Sequence, residues 1–429
     1  TNAFRHDEYN AGEVRRLLEP LFETEASGAQ LSTRAVGHSH IDTAWLWPMR
    51  ESVRKCARTF STQLRLMDKY PEYVFGASQP QHYVFTKEHY PGLYDRIREA
   101  VAEGRWEVQG AMWVEADNNV PSGESLVRQV LCGKRFFQEE FGVDVRNLWL
   151  PDVFGYSAAL PQILRKAGVE SFVTQTISWN QINKFPHHTF RWKGIDGTPI
   201  TVHFPPENNY NSQLFPDRLR FAARNYEQRG QLSEFLSLYG IGDGGGGPTE
   251  THIELGRRER NLAGVPKVEP GPAQPLLDRL QEHAGELPEW SGELYLEIHR
   301  GTLTTQAANK RSNRRLELYL RRIEMLWSTR PPGAYPAQEL RECWRNLLTN
   351  QFHDILPGSS IGWVYEDTDR DYSKIRSTLD ALKKRFVAAA GARNDGSHVT
   401  VVNVLSHSWD GLVRLPEHGE GALRLEDGS

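Results

Sequence analysis

Paired cysteines are the first thing this chain lacks. Its 429 residues hold three cysteines, Cys56, Cys132 and Cys343, far apart and odd in number. No C-x-x-C occurs, so neither a disulfide framework nor a thiolate zinc site is encoded, and a reducing cytoplasm is the expected compartment. Long apolar runs are missing as well. No stretch approaches the ~18 apolar residues that a membrane helix needs, and the first residues, from Thr1, carry no leader-like segment. Charge of one sign is not in excess: the formal net charge is −4 and the isoelectric point 6.4. That balance argues against nucleic acid or an anionic membrane as a partner. What remains is the composition of an ordinary globular protein, long enough for two or three domains. Twelve tryptophans and fifteen tyrosines are a generous supply. Aromatic faces suit sugar stacking, and they suit plain cores equally.

The stretch that carries chemistry is Gly37-His38-Ser39-His40-Ile41-Asp42-Thr43-Ala44-Trp45. In a strand, alternate side chains share a face, which would align His38, His40 and Asp42. Imidazole and carboxylate together suit a divalent metal such as zinc. Arg34-Ala35-Val36-Gly37 reads as the strand that delivers them, so the group falls where α/β folds place their sites.

Strand and helix alternate over the first 240 residues. Strands are expected at 73–78, 106–115, 147–156, 171–175, 200–204 and 235–240, with a last one at 293–298. Helices are expected at 51–69, 90–103, 122–141 and 158–167. This is the βα pattern of a parallel sheet, open or closed into a barrel. Residues 264–275, rich in proline and glycine, read as loop. The texture then changes to three amphipathic helices at 305–328, 337–355 and 371–391, the signature of a small bundle. Val399–Val404 and Leu412–Leu415 read as two strands, too few for a stable domain, so a larger β domain is expected to follow.

Three further groups stand out. Asp152 follows Leu148-Trp149-Leu150-Pro151 at the exit of an apolar strand. His353-Asp354 closes a helix, and at 100° per residue His353 points about 180° from Trp344. Gly240, Gly242 and Gly245 match G-x-G-x-x-G, but Asp243 inside the motif would repel a pyrophosphate, so the stretch reads as a flexible loop presenting Asp243. The residues alone leave several chemistries open. A metal-dependent amidohydrolase or deacetylase fits H-x-H with a late aspartate. A non-catalytic carbohydrate-binding protein is open too, and nicotinamide binding is the most distant alternative.

Taken together, residues 37–48, 113–129, 148–164, 242–249, 293–314 and 350–360 (GHSHIDTAWLWP through NQFHDILPGSS) resemble the α-mannosidases of glycoside hydrolase family 38, nearer its cytosolic and bacterial branch. The resemblance implies an α/β chain in four parts. These are a helical lead-in at 1–30, a parallel (β/α) barrel-like catalytic domain at 31–295, a three-helix bundle at 296–395 and the start of a β domain at 396–429. It implies one divalent metal, Zn2+ or in this branch Co2+, bound by His40, Asp42, Asp152 and His353, with His38 behind them. Asp152 would also be the nucleophile of a retaining glycosidase. Trp45 would lie under the sugar, Phe154 beside it, and Asp354 would hold sugar hydroxyls. Golgi-type members carry two adjacent aspartates where this chain has Asp243-Gly244. Asp243 is therefore the acid/base candidate, with Glu115 and Asp117 as fallbacks. Substrates would be α-mannoside glycans, and the resemblance is compatible with a homo-oligomer.

Overall fold

The computed structural model describes residues 11–26, 31–390, 401–405, 407, 408 and 410. Ten strands are seen among them: β1 (Ser32–His38), β2 (Phe75–Ala77), β3 (Trp106–Val108), β4 (Asn147–Leu150), β5 (Ser171–Thr174), β6 (Thr189–Lys193), β7 (Pro199–His203), β8 (Glu234–Tyr239), β9 (Lys267–Pro270) and β10 (Glu289–Ser291). They form two five-stranded sheets. One runs β3-β2-β1-β8 with β9 also on β1; the other runs β10-β6-β7-β5-β4. Every pairing is parallel except β6 with β7. The chain is an α/β protein, as its alternation predicts.

Parallel strands need crossover helices, and the sequence supplies them with clear ends. The helix Gly123–Phe141 starts where the Ser122 hydroxyl accepts the Ser125 N–H at 3.2 Å, and stops at Gly142, whose φ of 70° is left-handed. The first feature is an N-cap worth about 1 kcal/mol; the second is a glycine C-cap. The helix Met49–Lys69 buries Ser52, Cys56, Thr59, Phe60, Gln63, Leu64, Leu66 and Met67, the i, i+3/i+4 face of an amphipathic helix. The layers meet in aromatic packing: the ring of Trp106 on β3 stands edge-on to Phe75 at 4.9 Å and to Phe60 at 5.2 Å. Each such buried side chain contributes on the order of 2 kcal/mol.

By contact density the chain falls into two compact units, Thr1–Arg314 with Leu348–Arg370, and Arg315–Leu347 with Asp371–Ser429. The second is built on stretches of the helices Ala307–Ser328, Ala337–Thr349 and Gly362–Ala389. Its core includes Leu316, Leu320, Ile323, Trp327, Leu340, Trp344, Ile375, Leu379 and Phe386. Trp327 and Phe386 pack edge to face at 5.7 Å.

Several expected elements differ, each for a local reason. The strand at 106–115 ends at Val108 because Gly110 turns left-handed with φ 73°. The strand at 293–298 is replaced by the shorter β10 upstream; Leu294 keeps one isolated bridge to Tyr156, and Glu297 turns its carboxylate to the N–H groups of Gln181, Ile182 and Asn183. Residues 264–275 are not all loop, since β9 runs into Pro270, a position that an edge strand tolerates at its end. The helix expected at 337–355 stops at Thr349. No strand is seen among the described residues 401–404, and the strand expected at 412–415 lies outside the described residues.

Candidate metal centre

The C-terminal ends of the parallel strands converge on one side of the first unit. His40 and Asp42 follow β1, Glu115 follows β3, Asp152 follows β4 and Asp243 follows β8. His353 comes from the turn after Thr349, and Ala116 forms an isolated bridge with Phe352 that ties this turn to the β3 exit.

His40, Asp42, Asp152 and His353 each offer one donor atom, and the four atoms lie within 4.8 Å of one another. Nε2 of His40 is 2.9 Å from Oδ1 of Asp42 and 3.8 Å from Oδ2 of Asp152. Nε2 of His353 is 3.6 Å from Oδ1 of Asp42 and 3.9 Å from Oδ2 of Asp152. The two imidazoles stack, with centroids 5.3 Å apart.

The far nitrogens are held by one residue. Nδ1 of His40 lies 2.8 Å from Oε2 of Glu115, and Nδ1 of His353 donates to the Glu115 backbone carbonyl at 2.7 Å. Both neighbours are acceptors, so in the neutral ring each Nδ1 keeps the hydrogen and Nε2 presents a lone pair to the cluster, the tautomer a metal ligand needs. Nε2 of His353 is buried without a hydrogen-bond partner among the described residues. An orphan donor of this kind, two imidazoles and two carboxylates fit a divalent cation in an N/O site.

The charges packed into the cluster shift its own titrating groups. Burial would lower His40, but the Glu115 and Asp42 carboxylates hold its imidazole well above the usual range. Burial also opposes His353, which Asp42 and Asp354 nonetheless raise to about 9. Burial pushes Asp152 up to about 7, despite the pull of His40 and His353. Asp42 runs the other way: burial would raise it, and the two imidazoles hold it down.

The structure brings some expected residues to this cluster and not others. His38 stays outside the donor set, with Nε2 2.5 Å from the Tyr210 carbonyl, and burial lowers it to about 4. The strand-face alignment fails because β1 ends at His38. Phe154 packs edge-on to His353 at 5.7 Å. Asp354 is buried beside His353, held by the Ser359 hydroxyl. Trp45 is half-buried, its ring edge-on to Trp47 and its carbonyl accepting the Ile361 N–H. Asp243 sits at φ 56°; its carbonyl accepts the Asp42 N–H at 2.9 Å and its Oδ1 accepts the Tyr210 hydroxyl at 3.1 Å. The fallback acids face elsewhere. Glu115 is committed to the histidines, and the Asp117 carboxylate accepts the N–H groups of Asn119 and Val120. Two residues were missed as participants: Glu115 as the holder of both imidazoles, and Tyr210 as the bridge from His40, whose ring it meets edge-on at 5.4 Å, to Asp243. A lone carboxylate closing the apolar run Ala111–Val114 was the available signal for Glu115.

Residues 30–293 match the N-terminal domain of glycosyl hydrolases family 38, and residues 297–389 match the α-mannosidase middle domain. The chain is 43% identical over 411 residues to human alpha-mannosidase 2C1, covering 95% of this chain and 40% of that protein. It is 47% identical over 348 residues to alpha-mannosidase G of Dictyostelium discoideum, covering 81% of this chain and 32% of that one. The chain thus spans less than half the length of these relatives. An Enterococcus faecalis alpha-mannosidase of known structure shares the fold at a TM-score of 0.72 and 20% identity, over 86% of this chain and 43% of its own. With two consecutive domain matches covering the described α/β unit and the helices after it, the chain belongs to glycosyl hydrolase family 38.

Proposed function

We propose that the whole protein is a metal-dependent retaining α-mannosidase that releases mannose from α-mannoside glycans. The observation that carries this reading is the convergence of His40, Asp42, Asp152 and His353, in which Asp152 is the most exposed side chain at 17% while the other three lie at 2% or less. One donor of the cluster is therefore open to a substrate.

A bound divalent cation, zinc or cobalt, supplies a Lewis-acid contact for sugar hydroxyls and a positive field at the site. Every other role falls to the chain. Asp152 Oδ attacks the anomeric carbon as the bond to the leaving oxygen breaks, giving a glycosyl-enzyme ester. That step needs an ionised carboxylate, and burial pushes Asp152 the wrong way, to about 7, even against the pull of the His40 and His353 imidazoles. A divalent cation held by the cluster would bring it back down. Asp243 is the proton donor to the leaving oxygen and then the base for the incoming water, with the Tyr210 hydroxyl fixing its carboxyl. Trp45 and Phe154 are the sugar-facing rings and Asp354 the hydroxyl acceptor. Three cysteines far apart in the sequence, with no C-x-x-C, favour a reducing, cytoplasmic setting.

The full-length protein, given p-nitrophenyl α-mannoside, should release nitrophenol, and chelator or Asp152→Ala should abolish it. Activity surviving either one refutes the mechanism. Asp243→Asn should slow a mannose disaccharide by about 10²–10⁴-fold, the span of a lost general acid, and the aryl substrate far less. An equal loss on both removes Asp243 from the acid role. Metal and mannose binding without turnover would instead identify a binding homologue.

A further inference from the structure

The motif at 293–314 has no role in the chemistry above, yet its residues reach the turn that carries His353 and Asp354. Nδ2 of Asn309 donates to the Ile355 carbonyl at 2.9 Å. Nζ of Lys310 donates to Leu356 O at 3.0 Å and Pro357 O at 2.9 Å, and its third hydrogen goes to Thr305 O at 2.6 Å. Oδ1 of Asn313 accepts from Nε2 of Gln351 at 2.9 Å. Three consecutive carbonyls, 355 to 357, are thus taken by two adjacent side chains.

The turn needs such support. The helix that leads into it ends at Thr349, and residues 351–357 keep only scattered turn bonds, such as Ile355 and Leu356 N–H to the Phe352 carbonyl, in place of a helical ladder. Backbone carbonyls without partners in a buried segment are costly, and the turn supplies several at once. The lysine spends all three of its donors here, leaving none for solvent or an ion pair. Packing enforces the same alignment: Gly358 is left-handed at φ 95°, and a Cβ there would stand 2.6 Å from the Thr305 side chain. From the other side the turn is tied to the β3 exit, where the backbones of Glu115 and Asp117 bond His353 and Gln351, and the Gln351 side chain donates to the Ser125 hydroxyl. The imidazole of His353 is thereby held between two anchors, one at its own ring and one at the carbonyls that follow it.

We propose that Asn309, Lys310 and Asn313 are positioning residues for the metal ligand His353 and its neighbour Asp354. They set the place of a donor they never touch. This rests on reading the four-donor cluster as a metal site. A ligand free to swing costs affinity, because the metal must then order the turn as well as bind it.

The test uses the full-length protein and zinc alone, with affinity read by competition against a chromophoric chelator. Lys310→Met and Asn309→Ala should each lower zinc affinity about 10–100-fold, the usual loss when the support of a ligand is removed. Lys310→Arg, which keeps donors and charge, should recover most of it. The metal-free melting temperature should fall only slightly in Lys310→Met and Asn309→Ala, far less than the affinity does, and stay at the parent's in Lys310→Arg. Zinc held as tightly by both variants as by the parent overturns the proposal. So does a metal-free melting temperature that falls in step with the affinity, since that marks a general structural role. A parent protein that binds no zinc refutes the metal reading itself, and so is told apart from a failure of the positioning role alone.

Discussion

Oε2 of Glu115 stands 2.8 Å from Nδ1 of His40, on the side of the ring that faces away from the other donors. The same residue holds His353 through its backbone carbonyl, so one carboxylate and one peptide group orient both imidazoles. Replacing the side chain should release His40 only. Glu115→Ala is expected to weaken metal binding by about 10–100-fold, with the protein still folded, as chelator competition and circular dichroism would show. Unchanged affinity would mean that the ring is held by packing.

Removing the metal should lower thermal stability. A ligand present at ~100 times its dissociation constant stabilises the folded state by about 2.7 kcal/mol. Melting curves with and without chelator measure this directly, and identical curves would count against a cation at the cluster.

Gly133 lies inside the helix Gly123–Phe141, where alanine is normally favoured by about 1 kcal/mol. Here the helix crosses the β3 exit so closely that a Cβ would sit 2.1 Å from the Ala111 carbonyl oxygen and 2.7 Å from Met112 C. Gly133→Ala should therefore destabilise by about 1–3 kcal/mol, read as a lower urea midpoint. A higher midpoint would show that the crossing can relax.

Glu259 is buried with neither carboxylate oxygen hydrogen-bonded among the described residues, and burial, with Glu207 nearby, raises it from 4.5 to about 8. The fold therefore favours its protonated form. That advantage is complete below pH 4.5 and is lost as pH climbs toward 8. Glu259→Gln keeps the shape without the charge. Its melting temperature should match the parent near pH 5 and exceed it by about 3 °C or more near pH 8, since each pKa unit is worth about 1.4 kcal/mol. A difference independent of pH would remove Glu259 from this role.

What could be read in advance depended on how local the signal was. The crossover helices were legible because apolar residues recur along one face of each of them. His40, Asp42 and Asp152 were legible as polar side chains leaving apolar strands. His353 was named through the family resemblance, and the helical-wheel angle offered for it does not apply, because the helix ends at Thr349. The strand β6 was passed over because its pairing is antiparallel and lies outside the βα rhythm. The β9 edge was hidden by Pro270. The service of Glu115 to two rings, one of them supplied from residue 353, is a long-range relation that no spacing rule reaches.

The donor set also keeps time. His40 and Asp42 leave the ribosome early, Asp152 later, and His353 after roughly 300 further residues from the first. At about 5–20 residues per second, the first donor waits on the order of 15–60 s for the last. A nascent chain in that interval offers an incomplete ring of ligands and no anchor for the turn at 351–357. If the cluster holds the proposed cation, its capture is a late event in biogenesis, and chains halted before His353 should emerge metal-poor in any excess of zinc.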